Sequence, residues 1–137
     1  MTSVVVDTSA AVAILGNEPA AEDTITAMEA AQERLMSAAT LVELGIVMQA
    51  RLGAAGALAV ERFLRDGDVT VVALDRRQAD RALDGWRRFG KGRDRASLNL
   101  GDCFTYALAA DRILPVLCTG EDFSLTDLDV LPRRADS

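Results

Sequence analysis

The sequence contains no histidine among its 137 residues. This absence excludes Ser-His-Asp and Cys-His catalytic triads, zinc sites that depend on imidazole, and RNA cleavage by histidine. Aromatic residues are also scarce, at 4%, and Lys91 is the only lysine. Any hydrolytic chemistry must therefore depend on carboxylates, hydroxyls, that lysine or a hard metal ion.

Cysteines are few, and long apolar runs are missing. Cys103 and Cys118 both lie in apolar stretches, so we expect buried thiols rather than a disulfide framework. No apolar run approaches the length of a membrane span, and no charged-then-apolar leader precedes Val4. We therefore expect a cytoplasmic protein with no membrane segment.

The chain does have enough apolar content for a hydrophobic core. Half of its residues are apolar and 26% are charged, as is typical of a soluble globular protein. The length predicts one domain, over residues 1–137. The net charge of −6 argues against a general nucleic-acid coat, but net charge does not describe local patches.

Short β-branched apolar runs alternate with amphipathic helical patterns along the chain. The predicted strands are Val4–Val6, Leu35–Ala38, Val69–Leu74, Pro115–Cys118 and Asp129–Leu131. The predicted helices are Thr8–Leu15, a helix starting at Pro19, one starting at Thr40, one through Val60–Leu64, Asp75–Phe89 and Asn99–Arg112. This alternation predicts the α/β class, as a three-layer α/β/α sandwich with a mainly parallel central sheet.

The helix after the second strand begins with the letters "TLVE". This pattern predicts a capping box, in which Thr40 is the N-cap and Glu43 occupies the third helical position. Val42 and Ile46 add a second apolar flank, so we expect this helix to be buried on several sides.

Four acids fall where an open α/β sheet collects its functional groups. Asp7 follows the first strand directly, and Asp122 lies just beyond the strand that ends at Cys118. Glu43 and Asp102 are each expected in the first turn of a helix. Ligands of such sheets bind outside the carboxyl ends of the strands, so we expect these carboxylates to lie together.

Each acid also has a purely structural interpretation. Asp7 could cap the first helix, Glu43 could complete its capping box, and Asp102 could do the same behind Asn99. Convergence of all four would be different, because carboxylates in one crevice repel each other and raise at least one pKa unless a cation is present. Mg²⁺ or Mn²⁺ prefers such oxygen ligands and can activate water for phosphodiester hydrolysis.

Four sequence stretches resemble those of PIN-domain ribonucleases, specifically VapC-type toxins of toxin–antitoxin pairs. They are "VVVDTSA", "SAATLVELGIV", "LNLGDCFTYALA" and "GEDFSLTDL", and together they span nearly the whole chain. The resemblance implies that Asp7, Glu43, Asp102 and Asp122 are catalytic and bind Mg²⁺ or Mn²⁺. It further implies metal-dependent endonucleolytic cleavage of RNA, a homodimer, and inhibition by a cognate VapB antitoxin.

The resemblance also suggests supporting residues around the acids. Thr8 would lie beside the metal site, where its hydroxyl can bond a carboxylate or a water, and Asn99 would order the turn before Asp102. Glu121 is interpreted as an outer or exposed acid, and Asp127 as a turn or cap residue.

Basic residues concentrate between Asp75 and Arg95, which holds eight of the fifteen in the chain. One hypothesis is that a helical stripe and the following loop contact RNA phosphates, and the alternative is a solvated helix face. The candidate RNA-binding residues are Arg77, Arg81, Arg88, Lys91, Arg93 and Arg95. The second helix and the Gly53–Leu64 region are both candidate surfaces for a partner helix.

Two other functions are compatible with acids at strand ends. A Mg²⁺-dependent aspartate phosphatase requires a second aspartate at the position that Ser9 occupies. A phosphotransfer receiver domain requires a lysine after a late strand, whereas Lys91 lies in a loop that precedes a helix. The second alternative is a non-catalytic RNA-binding or partner-binding module whose acids serve only as caps.

Overall fold

The computed structural model of the chain describes residues 2–133, so Met1 and residues 134–137 of the predicted domain lie outside the described range. Within it, five strands form one sheet in the order β3-β2-β1-β4-β5, and every neighbouring pair is parallel. The strands are β1 (Val4–Val6), β2 (Arg34–Ser37), β3 (Val69–Val72), β4 (Val116–Leu117) and β5 (Val130–Leu131). The predicted α/β class is confirmed, and the sheet is parallel throughout the described residues.

Six α-helices occur within residues 2–133, and they cover both faces of the sheet. They are α1 (Thr8–Leu15), α2 (Ala21–Ala30), α3 (Ala38–Leu52), α4 (Ala54–Asp66), α5 (Arg76–Phe89) and α6 (Leu100–Arg112). Parallel strands need such crossover helices, which bury both faces of the sheet. The three-layer arrangement follows from that connectivity.

The alternation of side chains along β1 divides the core into two clusters. Val4 and Val6 pack with residues of α1, α2, α3 and α4, whereas Val5 faces the opposite side and packs with α5 and α6. All three valines are fully buried, as expected for the middle strand of a parallel sheet.

The order of the strands fixes where the site lies. After β1 the chain moves to β2 and β3 on one side, then crosses back to β4 and β5 on the other. The crevice between the carboxyl ends of β1 and β4 is therefore a topological switch point, where open α/β sheets bind their ligands. Asp7 follows β1 there, and the segment that carries Asp122 follows β4.

The start of α3 differs from the prediction. The N-cap is Ser37, whose hydroxyl accepts from the Ala39 backbone N–H at 3.2 Å. Thr40 is therefore not the cap, and Glu43 lies beyond the first turn of α3. The helix starts earlier than predicted because Ser37, the last residue of β2, caps it directly after the strand. The expected burial of α3 on several sides is also wrong, since Val42 and Ile46 are 61% and 65% exposed.

Other expectations about burial have mixed outcomes. Both cysteines are buried and neither is part of a disulfide, as predicted. The helical spacing of Ala79, Ala82, Leu83 and Trp86 in the sequence predicts that all four face inward from α5, but Leu83 and Trp86 are half exposed. None of the helices within residues 2–133 is both long and apolar enough to span a bilayer.

Candidate active site

Asp7 is the most buried of the four acids, with 3% of its surface exposed. Its Oδ2 accepts from the Ser9 backbone N–H at 3.1 Å and from the Ser9 hydroxyl at 2.8 Å, so Asp7 does cap α1. Its Oδ1 accepts from the Thr105 hydroxyl of α6 at 2.7 Å. Both carboxylate oxygens are thus held in fixed directions by donors on two different helices.

Glu43 reaches the same region from α3. Its Oε1 accepts a short hydrogen bond from the Thr8 hydroxyl on α1. Its carboxylate lies against Gly101 so closely that a Cβ built there would come within 2.0 Å of Oε2. Glycine at this position therefore makes the space that the Glu43 carboxylate occupies.

Asp102 lies in the first turn of α6 and forms a capping box with Asn99. Its backbone N–H donates to Asn99 Oδ1 at 2.9 Å, and its Oδ2 accepts from the Asn99 N–H at 3.1 Å. Burial raises the pKa of the Asp102 carboxyl to about 7, although the Asn99 hydrogen bond acts against this shift. The negative charges of Asp7, Asp122 and Glu43 raise this pKa further.

Asp122 approaches from the segment after β4. Gly120, at a φ of +82°, turns the chain in a conformation that favours glycine. Asp122 then precedes a 3₁₀ turn, Phe123–Leu125, whose phenylalanine is buried in the core. Asp122 and Glu121 are both exposed at the rim, and the charge of Asp122 reaches Asp102.

The structure brings the four predicted acids to one region without packing them together. Their proximity is visible at Asp102, whose pKa is raised by burial and also by the negative charges of the other three. Within residues 2–133, however, no three acidic or cysteine side chains are close enough to form a ready-made metal centre. Charge repulsion acts over longer distances than metal coordination. The carboxylates can therefore raise the pKa of Asp102 without being close enough to coordinate one ion together.

The donor set fits a hard divalent cation. All four side chains offer carboxylate oxygens, which Mg²⁺ and Mn²⁺ prefer, and Mg²⁺ keeps several waters rather than requiring a closed protein cage. The space that Gly101 leaves for the Glu43 carboxylate places one more oxygen donor beside the helix turn of Asp102.

A network of hydroxyl groups around Asp7 was not predicted from the sequence. The Thr40 and Thr105 hydroxyls lie 3.2 Å apart and both residues are fully buried. The Ser9 hydroxyl accepts from the Thr119 backbone N–H at 3.0 Å, which ties α1 to the segment after β4. These pairs are far apart in sequence, so no local pattern could reveal them, apart from Ser9 at a standard capping distance from Asp7.

The predicted RNA-binding arginines of α5 are engaged with acids of the chain. Arg77 Nε lies 2.6 Å and Arg81 Nε 3.9 Å from Asp111 Oδ1 of α6. Asp111 Oδ1 is buried and lacks a well-aligned hydrogen bond, so these contacts are ionic rather than directional. Arg88 pairs with Asp127 at 3.2 Å.

The loop after α5 presents its basic residues differently. Arg93 stacks over the Trp86 ring, with its guanidinium carbon 4.7 Å from the ring centroid, and donates to the Arg87 carbonyl. Lys91 and Arg95 are exposed and form no ion pair within residues 2–133. Among the six candidates, these two are the ones with neither an ion pair nor an aromatic contact in the described part of the chain.

Comparison with known proteins identifies the family. The PIN domain family matches residues 4–128, which include all four acids. The chain belongs to the PIN-domain family of VapC ribonucleases. It is 47% identical over 124 residues to ribonuclease VapC30 of Mycobacterium tuberculosis, covering 90% of this chain and 95% of that protein. It is 48% identical over 124 residues to a ribonuclease VapC of Mycolicibacterium smegmatis, covering 90% and 96% respectively.

Solved structures of VapC proteins share the fold. Mycobacterium tuberculosis VapC20 superposes with a TM-score of 0.75 at 16% identity, over 91% of this chain and 95% of that one. The VapBC-5 toxin–antitoxin structure of the same species gives a TM-score of 0.66 at 20% identity, over 95% and 98%. These structures share the fold, and the identity to curated VapC ribonucleases makes the protein a VapC-type ribonuclease, as the sequence motifs predicted.

Proposed function

We propose that the ribonuclease activity of this VapC-type toxin is carried by Asp7, Glu43, Asp102 and Asp122 acting as ligands for Mg²⁺ or Mn²⁺. The observation that carries this proposal is the convergence of three of the acids from different elements. Thr105 of α6 donates to Asp7, Thr8 of α1 donates to Glu43, and the Glu43 carboxylate lies against Gly101, next to Asp102. Burial and the charges of the other three acids raise the pKa of Asp102, and a bound divalent ion would offset that repulsion.

The hydrogen bonds of the acids leave oxygen atoms for a cation. Glu43 uses Oε1 for Thr8, and Asp102 uses Oδ2 for Asn99, so each retains a second carboxylate oxygen. Asp7 accepts bonds on both oxygens, but each oxygen offers a second lone pair. Capping and ligation are therefore compatible in the same side chain.

The chemistry of the reaction divides between the ion and the chain. A divalent ion, when bound, supplies Lewis-acid activation of water and stabilises charge on the leaving oxygen. The Ser9 and Thr105 hydroxyls orient Asp7, the Thr8 hydroxyl orients Glu43, and Asn99 orients Asp102. These outer contacts fix the ligand directions before RNA arrives. Glu121 at the rim is assigned an outer role beside Asp122.

The decisive experiment compares Asp7→Asn with Asp75→Asn in an RNA-cleavage assay containing Mg²⁺, Mn²⁺ or EDTA. Asparagine caps helices as well as aspartate does, so a residue that only caps should tolerate this change. Asp75 is the matched control because it caps α5, accepting from the Gln78 N–H at 2.9 Å. We expect Asp7→Asn to lose about a hundredfold or more of the metal-dependent activity.

The alternatives predict other results in the same assay. Equal activity of Asp7→Asn and the wild-type protein would refute the ligand role of Asp7. RNA binding without cleavage in any metal would support a non-catalytic module instead. Release of phosphate from a small phosphomonoester, without RNA cleavage, would support the phosphatase.

A groove on the far side of the core is proposed to receive the VapB-type antitoxin. The two surfaces suggested by the sequence, α2 and the Gly53–Leu64 region, prove to be walls of one groove of about 640 Å³. Its apolar wall includes Ile25, Met28 and Phe63, and its polar rim includes Arg62 and Asp66. An amphipathic antitoxin helix fits this pattern, and hydrogen exchange of the toxin with and without its cognate antitoxin should show protection of α2 and α4.

RNA would approach the acids in the cytoplasm along the exposed cations Lys91 and Arg95.

Two copies of the toxin would form a homodimer. The proposed dimer surface is the apolar groove of about 680 Å³ between α5 and the start of α6. Leu83, Trp86 and Leu100 line it and are 51%, 43% and 74% exposed. Large apolar side chains exposed together are typical of an interface.

A further inference from the structure

A polar network outside the four acids joins the elements that carry Asp102 and Asp122. The Tyr106 hydroxyl donates to Asp127 Oδ1 at 3.0 Å. Arg88 donates from Nη1 to the Tyr106 oxygen at 3.2 Å and from Nη2 to Asp127 Oδ2 at 3.2 Å. We call these three residues the 88–106–127 network.

Tyr106 is a rigid end of this network. It lies on α6 one turn after Asp102, and 2% of its surface is exposed. A Cβ built at Gly85 would come within 2.5 Å of its ring, and the Phe89 ring lies 5.8 Å away between centroids. Burial, then the hydrogen bond with Asp127, raises the pKa of Tyr106 to about 12, so the phenol remains a donor at neutral pH.

The segment between Asp122 and Asp127 is short and internally bonded. The Leu125 N–H donates to the Asp122 carbonyl at 3.4 Å. The Thr126 N–H and hydroxyl both donate to the Phe123 carbonyl, at 3.1 Å and 2.6 Å. A single turn held in this way moves as a unit, so a shift of Asp127 would carry Asp122 with it.

We infer that Arg88, Tyr106 and Asp127 are positioning residues that hold the Asp122 turn at a fixed place beside the helix that carries Asp102. This inference rests on the proposed function, because it assigns the network to the geometry of the acids. It also gives Arg88 a role inside the protein, since its guanidinium already faces Asp127 and, at 3.5 Å, Asp84. Asp127 is accordingly more than the turn or cap residue expected from the sequence.

The test measures metal response in the full-length protein. Tyr106→Phe removes only the hydroxyl and keeps the packed ring, whereas Arg76→Gln is the control, because Arg76 forms an ion pair with Asp80 on the same helix at 3.1 Å. Two readouts are taken: the Mn²⁺ concentration for half-maximal RNA cleavage, and the rise in melting temperature between EDTA and saturating Mn²⁺. Loss of an outer hydrogen bond typically weakens metal affinity 10–100-fold.

We expect Tyr106→Phe to raise the half-maximal Mn²⁺ concentration about tenfold and to reduce the Mn²⁺-induced rise in melting temperature. Asp127→Ala should behave like Tyr106→Phe. Asp127→Asn, which keeps an oxygen for the phenol, should lie between them and the wild type. Arg76→Gln should match the wild type in both readouts.

The outcomes separate the two claims. A variant that melts lower in EDTA but responds to Mn²⁺ like the wild type would show a merely structural network and overturn the inference, while the proposed function would stand. A wild-type protein with neither metal-dependent cleavage nor a Mn²⁺-induced shift would overturn the proposed function and this inference with it.

Discussion

At the scale of single residues, Asp7 and Asp102 each do two things at once. Both satisfy a helix N-terminus, and the charge of Asp7, together with burial, raises the pKa of Asp102. From the sequence alone, capping and ligand binding appear as competing explanations. The structure shows why they need not compete, since a carboxylate has more acceptor positions than a cap uses.

The raised pKa of Asp102 predicts how the stability of the metal-free protein depends on pH. The folded-state pKa of about 7 lies above the ordinary value of 3.8, so the folded state binds a proton more tightly than the unfolded state. The resulting stability is fully present below pH 3.8 and is lost as the pH rises through about 7. In EDTA, the wild-type melting temperature should therefore fall from pH 5 to pH 8 more than that of Asp102→Asn.

We expect this difference to be at least roughly 3 °C, which corresponds to about 1 kcal/mol in a domain of this size. Asp23→Asn, in the exposed first turn of α2, is the control and should follow the wild type. Parallel melting curves for the wild type and Asp102→Asn across this pH range would contradict the prediction.

Gly101→Ala should separate stability from activity. Alanine favours a helix by about 0.5–1 kcal/mol over glycine, but its Cβ would overlap the Glu43 carboxylate at 2.0 Å. Because Glu43 has a flexible side chain, we expect the fold to survive and the carboxylate to move away from the Thr8 hydroxyl. RNA cleavage should fall about tenfold or more, with a melting temperature close to that of the wild type.

Gly45→Ala provides the comparison for this substitution. Gly45 lies within α3, and a Cβ there would meet only Gln49 Nε2, at 3.8 Å. This variant should keep full cleavage activity. Full activity in Gly101→Ala as well would show that the close approach of Gly101 and Glu43 has no catalytic consequence.

At the scale of elements, helix α5 and its following loop divide the basic residues into two groups. Arg77 and Arg81 face Asp111 across the contact with α6, whereas Lys91 and Arg95 are exposed in the loop. The sequence showed the concentration of positive charge but not this division. Asp111 lies on another helix, so the pairing depends on tertiary structure.

Combined replacement of Lys91 and Arg95 by glutamine should weaken RNA binding in EDTA. Each lost phosphate contact lowers the slope of log affinity against log salt by about 0.7 for single-stranded RNA. The double substitution of Arg77 and Arg81 should change that slope less, because Asp111 already faces their charges. Filter binding at several salt concentrations measures both, and an unchanged slope for the loop variant would remove the loop from the RNA surface.

Elements were easier to predict than their ends. Each of the strands and helices described here had a signal in the sequence, because β-branched runs and helical periodicity are local properties. The start of α3 was missed because "TLVE" has the form of a capping box, while Ser37 caps the helix from the end of a strand. Ser37 and Thr40 are both possible N-caps, three residues apart. Ser37 is the cap in the structure, whereas the Thr40 hydroxyl is buried against that of Thr105.

At the scale of the whole molecule, the location of the acids was predictable and their supports were not. Ligands of open parallel sheets bind outside the carboxyl ends of the strands, and this rule placed Asp7 and Asp122 at one edge, whereas the strand order itself was not predicted. The contacts of Thr105 with Asp7 and of Tyr106 with Asp127 join residues 98 and 21 positions apart. No periodicity or local motif contains such information.

The exposed apolar groove predicts the oligomeric state. Replacing Trp86 by serine together with Leu83→Asp should convert a homodimer to a monomer, because both side chains line that groove. Light scattering after size-exclusion chromatography measures the mass directly. Leu58→Asp is the control, since Leu58 is 60% exposed on α4, away from the groove, and should leave the mass unchanged.

The edge position of β5 has a consequence for local unfolding. The turn that carries Asp122 is bounded by β4 and β5, and β5 pairs with β4 only through Val130 and Leu131. An edge strand this short is among the first parts of a sheet to open. Its opening would loosen the Asp122 turn while Asp7, between the central strand and α1, keeps its hydrogen bonds.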